Sequence, residues 1–189
     1  QIHPDNKNKV YAGTWGGGTF MSTDAGKNWD RLGTDNWDAP FSPTCLAISP
    51  SDPNVIYACD RTSPQIWRHN NAGVDEGPHN WFPYYSFEED EYMTTSAVAV
   101  HPTDSNKIYM AAFKPPIAHG GGLHLKDGGE IVDLGKDLPR SVLDIAINPS
   151  YPNIIYVTLH VHGVYKSING GQTWKQLDDK GNGLPRTGF

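Results

Sequence analysis

A ten-residue phrase occurs four times in this chain of 189 residues and limits how the chain can fold. Each copy begins with an apolar residue, has a proline two positions later, passes through a polar turn and ends in an apolar residue followed by tyrosine. The copies are Ile2–Tyr11, Ile48–Tyr57, Val100–Tyr109 and Ile147–Tyr156. Their tyrosines are 46, 52 and 47 residues apart. A repeat of this length, made of short β-rich runs and turns, predicts an array of similar units.

The runs that lead into the later copies are apolar on both faces, as expected for strands of a sheet that is sandwiched between other sheets. These runs are Cys45–Ile48, Ala97–Val100 and Asp144–Ile147. We therefore predict an all-β fold, a β-propeller of about four antiparallel four-stranded blades. The predicted units are 1–42, 43–93, 94–140 and 141–189. The first blade is expected to lack its innermost strand, and the array to belong to a larger ring; a closed ring of four blades is the alternative.

Two of the units contain a second phrase, STDAGKNW at Ser22–Trp29 and SINGGQTW at Ser167–Trp174. Asp24 or Asn169 is expected to hydrogen-bond the backbone of its own turn, and the glycine two residues later to adopt a positive φ. The tryptophan that ends each phrase is expected to be buried beside its turn. The phrase therefore predicts a structural fastener for a hairpin.

Together with the proline-to-tyrosine phrase, these residues resemble the Asp-box repeat, the bacterial neuraminidase-type pattern S-x-D-x-G-x-T-W. The resemblance covers essentially the whole chain and implies a propeller. It does not imply one function, because the same repeat is found in sialidases, tandem-propeller xyloglucan-cleaving enzymes, sortilin-type receptors and a photosystem II assembly factor family. A sialidase would need an arginine cluster for the substrate carboxylate, and the five arginines of this chain stand in no such context.

Composition and the two cysteines narrow the class of protein. A net charge of −6 argues against a nucleic-acid partner, since a phosphate-binding surface needs a basic stripe. The sequence has no apolar run long enough to span a bilayer. If Ile48 faces Ile56 across its turn, Cys45 faces Cys59, and the pair is expected to lie close together or to form a disulfide. A disulfide would favour a secreted or periplasmic location, in keeping with the family that the chain resembles.

Departures from the repeat point to one face of the predicted propeller. In an up-and-down sheet the proline turns and the Asp24-type turns share one face, while the loop after each tyrosine strand and the connection to the next blade share the other. Binding residues concentrate on such loops. On that second face we expect a binding site for a protein partner or a glycan, built of aromatic rings beside acids, with one arginine; the alternative is that the rings cover blade edges. The residues are Trp81, Tyr84, Tyr85, Phe87, Tyr92 and Arg61.

Acids and histidines on the same face supply candidates for chemistry. Asp60 follows a tyrosine strand much as one acid of the xyloglucan-cleaving family does, but without the Gly-Gly that follows it there. Asp144 stands where sister repeats carry small residues. His160 and His162 point the same way from an extended segment and His119 has a similar place in the preceding blade. Three imidazoles can bind zinc or copper, with polar loop histidines as the alternative reading, so no metal and no cofactor is assigned.

Two functions therefore remain open at the level of sequence. The first is a non-catalytic, extracytoplasmic propeller that acts as a protein- or glycan-binding scaffold. The second is part of a secreted polysaccharide hydrolase of the xyloglucan-cleaving type, whose chemistry uses one protonated and one ionised carboxylic acid. Whether the protein is an enzyme is left undecided.

Overall fold

The computed structural model describes residues 1–33, 42–70, 81–87, 94–113, 122–139, 141–160 and 162–177. These residues form sixteen β-strands in four sheets. The described part of the chain contains no helix, and hence no helical segment that could cross a membrane. The strands of the first two sheets are β1 Ile2–His3, β2 Asn6–Thr14, β3 Gly18–Ser22, β4 Asp30–Arg31, β5 Pro43–Ile48, β6 Ile56–Asp60, β7 Gln65–His69 and β8 Trp81–Ser86. Those of the last two are β9 Thr94–His101, β10 Asp104–Phe113, β11 Leu123–Asp127, β12 Glu130–Asp133, β13 Val142–Ile147, β14 Ile155–Leu159, β15 Gly163–Ser167 and β16 Lys175–Gln176.

Each sheet contains four consecutive strands, paired antiparallel in chain order. The all-β propeller prediction is confirmed, and the open sheets fit a segment of a larger ring. The expectation that the first sheet lacks its innermost strand is wrong. A two-residue strand, β1, occupies that place and pairs Ile2 with Val10. The bounds of the predicted units remain a prediction.

The apolar cores lie between the sheets, one for each pair of neighbours. Each core receives the tyrosine of one repeat phrase, which packs against the following sheet: Tyr11 in the first core, Tyr57 in the second and Tyr109 in the third. Tyr57 also donates a hydrogen bond from its hydroxyl to the carbonyl of Ser105 in the next sheet, at 2.7 Å. The repeated tyrosine therefore joins one sheet to the next, which explains why it sets the period.

Two tryptophans make the reverse contact, to the preceding sheet. The indole N–H of Trp81 donates to the carbonyl of Leu32 at 2.9 Å, and that of Trp174 donates to the carbonyl of Leu134 at 3.0 Å. Trp29 bonds the carbonyl of Gly26 in its own turn and is 41% exposed. The prediction that Trp29 and Trp174 are both buried is therefore wrong for Trp29, and Trp174 is only half-buried. Burial of these rings requires a preceding sheet for the tryptophan to pack against.

The predicted turn chemistry is present in both turns. The carboxylate of Asp24 accepts hydrogen bonds from the backbone N–H groups of Lys27 and Asn28, and the Asn169 side-chain carbonyl accepts one from the backbone of Thr173. Hydrogen bonds from Asn28 lower the pKa of Asp24 to about 2. The glycines two residues after Asp24 and Asn169 have φ of 87° and 92°.

A bulge near the start of the inner strand carries a second inter-sheet contact. The strand register shifts at Thr44, Ser96 and Leu143. The Thr44 hydroxyl donates to the carbonyl of Thr95 in the next sheet at 3.2 Å, and the Ser96 hydroxyl donates to that of Val142 at 2.7 Å. The equivalent Leu143 has no hydroxyl and is exposed. Bulged residues thus connect the inner strands around the propeller axis.

The disulfide is formed and the predicted register is confirmed. Ile48 pairs with Ile56 and Cys45 with Cys59, whose Cα atoms are 5.1 Å apart. Cys59 is buried in the core between the second and third sheets.

Removing the disulfide by the Cys45→Ala/Cys59→Ala substitution is expected to lower the free energy of unfolding. The cross-link closes a loop with a sequence separation of 14. Such a loop is associated with a stabilisation of about 3 kcal/mol, because the cross-link restricts the unfolded chain. Urea unfolding with and without reductant measures the effect. Reductant should destabilise the wild-type protein but not the double variant, and an equal response of both proteins would contradict the prediction.

Acid is expected to destabilise the core between the first two sheets through His69. Its ring is 3% exposed, packs edge-on against Trp81 at 5.0 Å, and has an Nδ1 atom without a hydrogen-bond partner among the described residues. Burial lowers the pKa of His69 from its ordinary 6.5 to about 4. The unfolded chain therefore binds a proton that the folded chain does not over this interval. Above pH 6.5, His69 is neutral in both states and does not reduce the free energy of unfolding. As the pH drops from 6.5 towards 4, the free energy of unfolding falls by about 3 kcal/mol because of this group.

The measurement is urea unfolding of the wild-type protein and of His69→Phe at several pH values. The variant should show a smaller loss of stability between pH 6.5 and pH 4 than the wild type. His160→Gln, at an exposed histidine, is the matched control and should retain the wild-type loss. Equal acid dependence of His69→Phe and the wild type would show that another group is responsible.

Candidate functional site

The aromatic residues predicted to bind a partner lie mainly inside the protein. Trp81 and Phe87 are buried members of two inter-sheet cores. Tyr84 and Tyr85 are half-buried and lie on β8, the last strand of the second sheet. Tyr92 lies outside the described residues.

Hydrogen bonds account for both tyrosine hydroxyls of this group. Tyr84 donates to the carbonyl of Asn106 at 3.0 Å, and the Tyr85 hydroxyl lies 2.9 Å from Nδ1 of His124. Both partners belong to the third sheet. Tyr84 and Tyr85 therefore pack between the second and third sheets. This agrees with the alternative stated above, that the rings cover the edges of the blades.

The two candidate catalytic acids have different surroundings. Asp60 is 3% exposed, and its carboxylate accepts hydrogen bonds from the backbone N–H and the hydroxyl of Thr62, at 2.9 and 2.8 Å. Its backbone N–H donates to the Thr95 hydroxyl at 2.9 Å. Asp144 is exposed, and its carboxylate accepts one hydrogen bond, from the backbone of Ile145 at 2.9 Å. Asp60 therefore shapes a turn, whereas Asp144 is open to solvent.

Asp144 faces an open cavity of about 720 Å³ along the propeller axis. The cavity is lined by the inner strands of the later sheets and by β2 of the first sheet, including Tyr11, Gly13, Cys45, Ala97, Ala99 and Ile145. Most of these side chains are small, because the strands converge here. An acid at this position is accessible to a ligand that enters the cavity.

The histidines form no metal centre in the described part of the chain. His160 is exposed, its backbone N–H donates to the carbonyl of Ser141, and its carbonyl lies 3.3 Å from Nδ1 of His162. His119 lies outside the described residues. No group of three or more histidine, cysteine or acidic side chains with the proximity needed for a metal ion is found among the residues described.

The structure reveals an exposed aromatic residue that the sequence reading did not select. Trp15 is 79% exposed, which is the largest exposed fraction of any large apolar side chain in the described residues. It stands in the β2–β3 loop, directly after the first tyrosine strand. This is the loop face that departures from the repeat had indicated. The signal in the sequence was a tryptophan followed by three glycines, a combination that the other units lack.

The loop that carries Trp15 is held in a fixed shape. Gly16 and Gly18 adopt φ of 69° and 86°, which other residues rarely do. The Thr14 hydroxyl donates to the carbonyl of Gly18 across the loop at 3.1 Å. The Gly16 N–H donates to the side chain of Ser42, in the connection to the second sheet, at 2.9 Å. The tryptophan is therefore presented on a pre-shaped turn.

Arg61, which the sequence did predict as a binding residue, completes this site. Its guanidinium carbon lies 4.3 Å from the centre of the Trp15 ring, a cation–π contact. Its backbone N–H donates to the carbonyl of Ser42 at 3.1 Å. Ser42 therefore holds both loops, one through its hydroxyl and one through its carbonyl. We name Trp15, Arg61 and the Thr14–Gly18 loop the Trp15 platform.

No protein-family model matches the chain. A curated relative described as a probable oligoxyloglucan-reducing end-specific xyloglucanase of Neosartorya fischeri is 23% identical over 159 residues. That match spans 75% of this chain and 19% of the relative, so the chain covers about a fifth of the relative's length.

Solved structures that share the fold include GH74 enzymes and YCF48. The crystal structure of an ancestral GH74 enzyme has a TM-score of 0.69 at 22% identity, over 96% of this chain and 24% of that one. The GH74 xyloglucanase from Xanthomonas campestris has a TM-score of 0.67 at 17% identity, over 98% and 30% of the two chains. YCF48 bound to D1 peptide has a TM-score of 0.56 at 21% identity, over 89% and 49%. At these identities the likeness shows a propeller fold and no particular activity.

The fixed shape of the Trp15 loop can be tested at Gly17. A Cβ atom at this position would lie 2.4 Å from the hydroxyl oxygen of Thr14, which is too close for non-bonded atoms. Gly17→Ala is therefore expected to displace the Thr14 hydroxyl from its bond to the Gly18 carbonyl and to lower the free energy of unfolding by about 1 kcal/mol, the usual contribution of one hydrogen bond. In a Thr14→Ala background, where that bond is already absent, Gly17→Ala should not have this cost in a double-mutant cycle.

Gly129→Ala is the matched control, because a Cβ at Gly129 meets no atom within 4 Å. Urea unfolding of the variants gives the comparison. A Gly17→Ala variant as stable as Gly129→Ala would show that the loop adapts freely and that Trp15 is not pre-positioned.

Proposed function

We propose that this chain is a non-catalytic segment of a propeller that binds a polysaccharide through the Trp15 platform. The observation that carries the proposal is a tryptophan 79% exposed on a turn whose backbone is fixed by glycines and by Ser42. An exposed large aromatic ring on a rigid loop has no role in the apolar cores. We attribute its position, on the loop face of a propeller and on a turn held in one shape, to a ligand.

The chemistry of an indole ring suits a sugar. Its flat apolar face packs against the C–H groups of a pyranose ring, while sugar hydroxyls keep their contact with water. A loop that is already ordered loses little conformational entropy when it binds. Similarity to proteins named as xyloglucanases supports a glycan, and similarity to YCF48 bound to a peptide makes a protein partner the main alternative.

The proposal that this segment is non-catalytic rests on the small number of accessible carboxylates. Glycoside hydrolysis of the usual kind uses a pair of acids on either side of the scissile bond. In the described residues the carboxylate of Asp60 is buried and accepts hydrogen bonds from Thr62, which leaves Asp144 as the accessible one of the two candidate acids. Asp144 alone does not supply both roles.

A hydrolase is the second candidate, and Asp144 is the observation that favours it. This acid is exposed in a cavity of about 720 Å³, and the chain resembles proteins named as xyloglucanases. Under this alternative, Asp144 would act with a second acid on a polysaccharide bound along the axis. Loss of xyloglucan hydrolysis on Asp144→Asn, with binding retained, would favour this candidate over the first.

A secreted or periplasmic location belongs to the same proposal. The Cys45–Cys59 disulfide supports it, because such bonds persist in oxidising compartments. The Asp24 and Asn169 turns, with their side-chain-to-backbone hydrogen bonds, support the proposed Asp-box type of blade. A net charge of −6 supports a partner other than nucleic acid.

Trp15→Ala is expected to weaken polysaccharide binding about 30-fold or more, as for the removal of a central aromatic anchor. Affinity gel electrophoresis against soluble xyloglucan and other neutral and acidic polysaccharides measures the change. The fold should be unaffected, because the ring lies outside the cores.

Trp29→Ala is the matched control. Trp29 is also exposed, but it belongs to the Asp24 turn on the opposite face, and its loss should leave the affinity unchanged. Retained binding by Trp15→Ala would place the glycan site elsewhere. A protein that binds no polysaccharide, but captures a peptide only when Trp15 is present, would replace the glycan with a protein partner.

A further inference from the structure

We propose that the Trp15 platform selects an anionic polysaccharide, one whose sugar units carry carboxylates, through the guanidinium of Arg61. This inference rests on the proposed function, since it names the class of glycan that the same site takes. The juxtaposition that points to it is an exposed arginine 4.3 Å from an exposed tryptophan ring, on loops joined by one serine.

Arg61 retains its capacity to bind an anion. Its guanidinium contacts the Trp15 ring, and no carboxylate pairs with it among the described residues. A cation–π contact uses the charge of the group but consumes none of its five N–H donors. Those donors form a planar fork that matches a carboxylate with two parallel hydrogen bonds.

The acid next to Arg61 in the sequence is Asp60. Its side chain is buried, and its carboxylate accepts hydrogen bonds from the backbone N–H and the hydroxyl of Thr62.

The positive charge of Arg61 beside Trp15 contrasts with the negative charge of the protein as a whole. With a net charge of −6, the chain as a whole repels an anionic polymer. The guanidinium of Arg61 beside Trp15, the most exposed large apolar side chain in the described residues, is therefore a local exception. A neutral glycan would need the ring alone, whereas a polymer of acidic sugars can place one unit on the indole face and the carboxylate of a neighbouring unit at Arg61.

A purely positioning role for Arg61 predicts a different outcome. If the guanidinium only supports the Trp15 ring, its removal weakens the binding of neutral and acidic glycans alike. If it binds carboxylate, its removal changes the ratio of the two affinities. The ratio therefore separates the roles.

The experiment uses two ligands with one skeleton, an oligogalacturonate and its fully methyl-esterified form of the same length, titrated calorimetrically into the chain. The wild-type protein should prefer the acid. Arg61→Gln should lower the acid-to-ester affinity ratio about tenfold or more, as for the loss of a charge-assisted hydrogen bond. Arg61→Lys, which keeps the charge but not the fork, should give an intermediate ratio. Raising the salt concentration should reduce the acid affinity of the wild type more than that of Arg61→Gln.

The outcomes distinguish this inference from the proposed function. If Trp15→Ala abolishes binding of both ligands while Arg61→Gln leaves their ratio unchanged, the glycan platform stands and the anionic preference is overturned. If Trp15→Ala leaves both affinities unchanged, the platform itself is wrong. If poly-glutamate binds as tightly as the oligogalacturonate and depends equally on Arg61, the proposal of a polysaccharide ligand is overturned in favour of an acidic peptide.

Discussion

The structure depends on the packing of each sheet face against the sheets on either side. The second strands of the first two sheets show this clearly. All five residues of β6, in the second sheet, are buried, whereas most of β2, in the first sheet, is not. Both strands contain the same repeated tyrosine phrase. Burial is therefore a property of position in the array, and each sheet is stabilised by its neighbours.

Directional contacts complement this apolar packing. Tyr57 reaches forward to the backbone of the third sheet, and Trp81 and Trp174 reach back to the sheet before their own. Near the axis, the Thr44 and Ser96 hydroxyls bind the inner strands that follow them. Because these bonds satisfy backbone carbonyls, they fix how neighbouring sheets are placed relative to one another. The loops at the ends of the sheets are consequently held on a rigid frame.

The Trp15 platform depends on that frame. Its two loops come from different sheets, and Ser42 in the connection between those sheets binds both. The contact of Arg61 with Trp15 is consequently a contact between blades. Trp15 and Arg61 are brought into contact by the packing of β2 against β5. This packing is close, since a Cβ on Gly13 would lie 2.8 Å from the Pro43 ring.

Departures from the repeat indicated the loop face on which Trp15 and Arg61 lie, because loops tolerate departures that strands do not. That this face binds a ligand remains a prediction. The aromatic cluster was misread, because Trp81 and Phe87 carry the large apolar surface that suits either a ligand or a core. Trp15 was not selected, because a single aromatic residue in a glycine-rich loop has no periodic signal.

Local chemistry in the sequence determined the strand order, the turns and the register. The repeat predicted four sheets of consecutive strands, Asp24 and Asn169 predicted their own turns, and the pairing of Ile48 with Ile56 placed Cys45 opposite Cys59. Only the tertiary structure decided which aromatic rings are buried. Trp29 and Trp174 end nearly the same phrase, yet only Trp174 reaches a preceding sheet in this chain. The exposure of a ring depends on residues a whole repeat away in sequence, and a local pattern carries no information about them.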